Sequence, residues 1–138
     1  MTTDTQIKDI LTRTRRIALV GASANPARPS HDVMKFLLEK GYDVVPVNPG
    51  LAGQTLLGQP VVASLRDIDG DIDMIDIFRQ SAHVPALVEE ALAQFPRLHT
   101  IWMQLGVMHD GAAQTARARG VDVVMDRCPK IDYPRLMR

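Results

Sequence analysis

A chain of 138 residues with 46% hydrophobic and 23% charged content has the length and apolar share of one globular domain with a substantial core. Sixteen basic residues balance sixteen acidic ones; this gives no electrostatic support to a nucleic-acid partner and lowers the repulsion that opposes self-association, with a homodimer as the simplest form. The lone Cys128 excludes an internal disulfide and fits a reducing, cytoplasmic setting, the polar start from Met1 to Asp9 has no signal-peptide core, and no apolar run approaches membrane-spanning length.

The elements follow in chain order. Residues 4–15 place Ile7, Ile10 and Leu11 at helical spacing behind a Thr3 or Asp4 cap, which predicts a short helix at the domain edge. Ile17 to Val20 is an apolar run that reads as a buried first strand, turning at Gly21 into a loop of small residues, two prolines and Arg28. Ser30 is the expected N-cap of a helix that carries Val33, Met34, Leu37 and Leu38 on one face and stops at Gly41. Asp43 to Val47 is the second strand, closed by Asn48-Pro49-Gly50. Between residues 50 and 71 the glycines and Pro60 break long elements, leaving a short extended piece from Pro60 to Ala63 and one helical turn capped by Ser64. Ile72 to Phe78 alternates apolar and acidic residues and is the expected third strand. A helix follows from about Ala82 to Gln94, capped by Ser81, with Pro85 in its first turn. His99 to Gln104 is the fourth strand, Asp110 to Arg119 an alanine-rich helix, and Val121 to Met125 the fifth strand. Lys130 to Arg138 reads as an irregular or weakly helical tail.

Five alternations of strand and helix predict a parallel sheet covered by helices on both faces, in one α/β domain over residues 1–138. Ligands of such sheets lie beyond the carboxyl ends of the strands, where strand order reverses; a 3-2-1-4-5 order puts that point between strands one and four. The loops after Val20, Val47, Phe78, Met103 and Met125 are therefore the candidate site. Strand, glycine turn and helix start in succession form an anion-binding arrangement suited to the phosphates of a nucleotide-like ligand. The dinucleotide fingerprint is absent: Gly21 is present, but Ser23 and Pro26 stand where its second and third glycines belong, and Asn48 stands where an acidic residue would hold a ribose. The phosphate loop of ATP-hydrolysing proteins is also missing.

The motifs V-G-A-S-A-N-P-x-R-P-S-H, V-P-V-N-P, D-x-F-R, W-M-Q-x-G and V-M-D-R-C, in that order from about Arg15 to Ile131, resemble the small stand-alone CoA-binding domain proteins of bacteria. That family is similar to the N-terminal domain of the succinyl-CoA synthetase alpha subunit and of ADP-forming acyl-CoA synthetases. The resemblance implies a Rossmann-like, doubly wound parallel five-stranded sheet in three α/β/α layers that binds coenzyme A or an acyl-CoA. It implies that Gly21, Ala22 and Ser23 cradle phosphates, that Arg28 adds a cation beside Pro29, and that Ser30 and His31 stand at the helix start. Val47, Asn48 and Pro49 would lie along the nucleotide, Phe78 and Arg79 would flank the adenine or ribose, and Met103, Gln104 and Gly106 would line the path of the pantetheine arm. The ligase relatives carry a lysine just after the strand-two proline turn, where this chain has Gly50 and Leu51, so Arg28 or Arg79 is expected to take its part. Those relatives also have a phosphorylated histidine in a second domain and bind nucleotide triphosphate in another; a chain with neither is expected to be a binding module and not to form thioesters by itself. The alternatives are an enzyme acting on the CoA thiol or acyl group through Cys128, and a regulatory partner of a separate ligase chain.

No metal ligation is expected: His83, His99 and His109 match no zinc spacing, and Asp71, Asp73 and Asp76 fall on both sides of a strand, as solvated or salt-bridged carboxylates. Met34, Met74, Met103 and Met125 are expected to be mainly core, and Cys128 a small buried residue beside Pro129.

Overall fold

The computed structural model describes residues 2–137; Met1 and Arg138, the outer ends of the N-terminal segment and the tail, lie outside the described residues. Helix α1 (Asp4–Arg13) starts at Thr3, whose side chain accepts from the Gln6 N–H while the Gln6 side chain accepts from the Thr3 N–H. Strand β1 (Arg16–Val20) leads to α2 (Pro29–Glu39) and then to β2 (Asp43–Val47). A two-stranded hairpin, β3 (Thr55–Leu56) and β4 (Gln59–Pro60), turns through Leu57 and Gly58, both at positive φ. Strand β5 (Met74–Ile77), helix α3 (Val84–Gln94), strand β6 (Thr100–Met103), helix α4 (Asp110–Ala118), strand β7 (Asp122–Val124) and helix α5 (Pro129–Leu136) complete the chain.

The five long strands form a parallel sheet in the order β2-β1-β5-β6-β7. In terms of the five predicted strands this is 2-1-3-4-5, not 3-2-1-4-5. The chain leaves β1 toward β2, then crosses back to lay β5 on the other side of β1, so the reversal falls between the first and third predicted strands. Alternate residues of each strand feed opposite faces. Ile17, Leu19, Val44, Met74, Trp102 and Val124 pack with α1, α2 and α5, while Ala18, Val20, Ile75, Ile77, Ile101, Met103 and Val123 pack with α3 and α4. Apolar residues on both sides of every central strand are what a sheet covered on both faces requires.

Two local expectations change and two are sharpened. Arg28, without a side-chain cap, takes the N-cap position of α2, because Pro29 at the first helical position needs no amide acceptor and starts the helix before Ser30. Ser81 to His83 is a tight 3-10 turn and α3 begins at Val84. Helix α1 lies beside the edge strand β7, with Arg13 paired to Asp122; its Ile7, Ile10 and Leu11 are buried, and the Tyr42 hydroxyl, its pKa pushed up to about 12 mainly by burial, donates to the Leu11 carbonyl. The tail is a helix, α5, packed on α1 and α2, with Arg135 bridging Asp4 and Asp132.

Asp76 is the exception inside the sheet. It is fully buried between Leu19 and Trp102 on the neighbouring strands, not solvated or salt-bridged as expected. With the Gln104 amide turned so that its nitrogen, and not its oxygen, faces Asp76, that nitrogen lies 2.9 and 3.2 Å from the two carboxyl oxygens and donates to them. Burial alone pushes its pKa well above the ordinary 3.8. A carboxyl held more protonated in the folded chain contributes stability that is full below 3.8 and is lost as pH rises through the folded value. Asp76→Asn, which cannot ionise, is therefore expected to gain stability over the parent chain as pH rises from 3.8 toward 8, with the smallest difference at the acid end. Paired thermal melts across that range check this, and parallel stability curves would rule it out.

Candidate functional site

Gly21 turns the chain out of β1 at φ +91°, a backbone conformation that disfavours any side chain with a Cβ. Space demands glycine as well: a Cβ here would stand 2.4 Å from the Phe78 carbonyl oxygen. The loops after β1 and β5 thus meet at the reversal point of the sheet. The loop after β2 is tied to the same place, because the Gly21 and Ala22 N–H groups both donate to the Val47 carbonyl, at 3.0 and 3.3 Å. Asn48 completes the clamp, donating to the Ala22 carbonyl at 2.7 Å and accepting from the Gly50 N–H at 2.8 Å.

This clamp changes which amides are free. Those of Gly21 and Ala22 are spent on Val47, and those of Asn25, Ala27 and Arg28 close turns inside the loop. The Ser23, Ala24 and Ser30 N–H groups have no protein acceptor among the described residues. They sit beside the start of an 11-residue helix, where the dipole adds positive potential.

Two clefts open on either side of Gly21. The first, about 650 Å³, runs from Gly21, Ala22 and Ser23 past Arg28, Pro29 and Ser30 to Phe78 and Arg79, and on to Gln104, Leu105 and Cys128. No carboxylate lines it. Arg28 is exposed and Arg79 half-buried, and neither makes an ion pair among the described residues. Gln104 is nearly buried at its floor, held from behind by Asp76, so the carboxyl under the sheet fixes an amide that lines the cleft. The second cleft, about 410 Å³, shares Gly21, Asn48 and Arg79 with the first and adds Val47, Pro49, Ser64, Leu65, Leu87 and Glu90.

Of the residues singled out in the sequence, Gly21, Ala22, Ser23, Arg28, Pro29, Ser30, Asn48, Phe78, Arg79 and Gln104 come together on the first cleft, and Val47 and Pro49 on the second. Three line neither. His31 is half-buried in the first turn of α2, its N–H on the Arg28 carbonyl. Met103 is buried in the core between the sheet and α3–α4. Gly106, at φ +82°, gives its N–H to Asp126 at 2.7 Å and thereby ties the loop after β6 to the loop after β7. Sequence reasoning did not find Glu90, Leu65 or Leu105. It weighed Cys128, 8% exposed, chiefly as core, although the residue lines the first cleft. The histidine at 109 is structural, accepting from the Ala112 N–H to cap α4. Among the described residues no three His, Cys, Asp or Glu side chains are grouped to hold a metal ion, and no helix is long and apolar enough to cross a membrane.

Comparison with known proteins gives the family and the fold. Residues 15–134 match the family model described as a CoA binding domain. The chain is 40% identical over 128 residues to the uncharacterized protein YneT of Bacillus subtilis (strain 168), covering 93% of this chain and 92% of that one. It is 32% identical over 80 residues to the alpha subunit of an ADP-forming acetate–CoA ligase of Pyrococcus furiosus; the match covers 55% of this chain and 17% of the subunit. Among solved structures, a hypothetical protein from Pyrococcus horikoshii OT3 superposes with a TM-score of 0.92 at 37% identity, over 99% of this chain and 94% of that one. A protein from Thermus thermophilus gives 0.90 at 36% identity, over 98% and 99%. With nearly its whole length matched and the same sheet in its relatives, the chain belongs to the CoA-binding domain family.

Proposed function

We propose that this protein binds coenzyme A, free or acylated, across the carboxyl ends of the β-strands, as a binding module. The observation that carries this reading is the pair of arginines without carboxylate partners among the described residues, Arg28 and Arg79, on a cleft that Ser23 and Ser30, whose amides are unused, also line. A half-buried guanidinium with no counter-ion is costly unless an anion arrives. Two guanidinium groups and a helix start suit a pyrophosphate, and the remainder of the cleft, narrow in polarity and lined by Phe78, Leu105 and Val107 beside Gln104, suits an amide-bearing aliphatic arm. Family membership and the partial match to a CoA ligase subunit support the same ligand.

Calorimetry with CoA, acetyl-CoA, NAD and ATP side by side tests the reading. CoA and acetyl-CoA are expected to bind and the other two to bind weakly or not at all; a preference for NAD or ATP would overturn it. Arg28→Ala is expected to weaken CoA binding by about 1–3 kcal/mol, the range for a charge-assisted hydrogen bond to phosphate. Unchanged affinity would place Arg28 outside the site.

The position of Cys128 on the first cleft favours a second reading, thiol exchange with the bound cofactor. Its thiolate would attack the disulfide of oxidised CoA, forming a protein–CoA disulfide and releasing one CoA thiolate. Intact-mass measurement after incubation with oxidised CoA is expected to show one CoA adduct, absent from Cys128→Ser. An unmodified parent chain would remove this reading and leave the binding role untouched.

A further inference from the structure

We propose that Asp76 is a positioning residue for the ligand: its proton decides which end of the Gln104 amide is turned to the first cleft, so that coenzyme A binds the ionised form and the proton is released to solvent. The inference rests on the coenzyme A reading above and adds to it a dependence on pH. Asp76 stands in the middle of the sheet, 0% exposed, with Leu19 of β1 on one side and Trp102 of β6 on the other. The layer it faces, shared with α1, α2 and α5, is apolar, and its titratable members are Tyr42, Cys128 and Tyr133. On α5 the buried Asp132 is held by Arg127 and Arg135, and on α2 His31 is half-buried in the first turn. None of these acts on the Asp76 carboxyl, whose ionisation burial alone opposes.

Two orientations of the Gln104 amide fill nearly the same space, and the charge on Asp76 separates them. Against a carboxylate the amide turns Nε2 inward, 2.9 and 3.2 Å from the two oxygens, and Oε1 becomes the outward atom, an acceptor. A protonated carboxyl has an O–H to place, and among the described residues Gln104 is its side-chain partner. Left unpaired in an apolar layer, that O–H is costly. Donating it to Oε1 satisfies it and turns Nε2 outward, a donor. Gln104 keeps 4% of its surface exposed and lines the first cleft beside Leu105, Val107 and Cys128. That cleft is rich in donors: the Arg28 and Arg79 guanidinium groups and the unused Ser23 and Ser30 amides. Acceptors are scarcer, because Asn48 Oδ1 already takes the Gly50 N–H and Ser23 Oγ the Asn25 N–H. A ligand arm that carries amide N–H groups finds a buried acceptor in Gln104 Oε1, and finds it while Asp76 is ionised. Binding therefore replaces the Asp76 O–H bond to Oε1 by an Nε2–H bond to the carboxylate.

The test measures CoA affinity by calorimetry from about pH 5 to about pH 8 for the parent chain and Asp76→Asn, in two buffers of different ionisation heat. Titration of the ligand phosphates and of Cys128 is common to both chains and cancels in their ratio. Relative to the variant, the parent is expected to gain about fivefold or more in affinity as pH rises, and to release a proton on binding at the acid end. Asp76→Asn has no proton to give up and is expected to lack that component. A second measurement needs the parent chain alone and so stands even if the variant fails to fold. The side-chain amide resonances of Gln104 are expected to titrate together with the Asp76 carboxyl, with a midpoint that falls when CoA is bound. The same pH dependence in both chains, or a midpoint unmoved by CoA, would overturn the role of Asp76 and leave the CoA reading standing. Affinity that falls with pH relative to the variant would show that the ligand takes the donor end of the amide, and would also overturn the proposal. Absence of CoA binding at every pH would overturn both.

Discussion

The approach of Gly21 to the Phe78 carbonyl sets the geometry of this molecule's functional edge. Beyond β1 and β5 the two chains come so close that no side chain fits between them. That closeness is possible because the two strands are direct neighbours at the point where the sheet reverses direction. It leaves open ground on either side of the turn, and these are the two clefts. The Val47 carbonyl and Asn48 then fasten the loop after β2 to the same turn, so three of the five strand-end loops are joined there. A rigid frame of this kind presents ligand-facing groups with little left to order on binding.

Charge is distributed along this edge with a consistent sense. The two free guanidinium groups lie at and beside the junction of the clefts, the acidic Glu90 lines the second cleft, and the neutral Gln104 lines the first. Beneath the amide sits Asp76, whose ionisation is opposed by the dry core around it. Among the described residues Gln104 is its side-chain partner, so a buried amide lining the first cleft has its orientation set from inside the sheet. A polar group buried this deeply exacts a cost in stability that a hydrophobic residue would not; its return is an amide held in one orientation on the cleft.

The layers of the fold were legible in the sequence because parallel strands buried on both faces read as apolar runs, and five of them alternate with amphipathic segments. Strand order was not, since the 2-1-3-4-5 and 3-2-1-4-5 arrangements share the same alternation and differ only in which edge a crossover returns to. The tail was left between irregular and weakly helical because Pro129 and Pro134 fall within eight residues, and α5 gains tertiary support by docking onto α1 and α2. Asp76 was misjudged because an acidic residue alternating with Ile75 and Ile77 suggests a wet face, whereas helices cover both faces here. The loops bearing Gly21, Asn48 and Arg79 were identified from turn chemistry and motif together. Glu90 was hidden in an ordinary Glu89-Glu90 pair on a helix; its spacing of four from Gln94 was the only trace that both side chains face the same neighbour.

The helices at the two ends of the chain lie against each other, joined by Arg135 to Asp4 with two hydrogen bonds. The start of α1 and the end of α5 are therefore neighbours in space, and neither lines the two clefts. A domain with this arrangement is topologically portable: it can be spliced into a loop of a larger polypeptide, or closed head to tail and reopened elsewhere, without disturbing the order of its sheet.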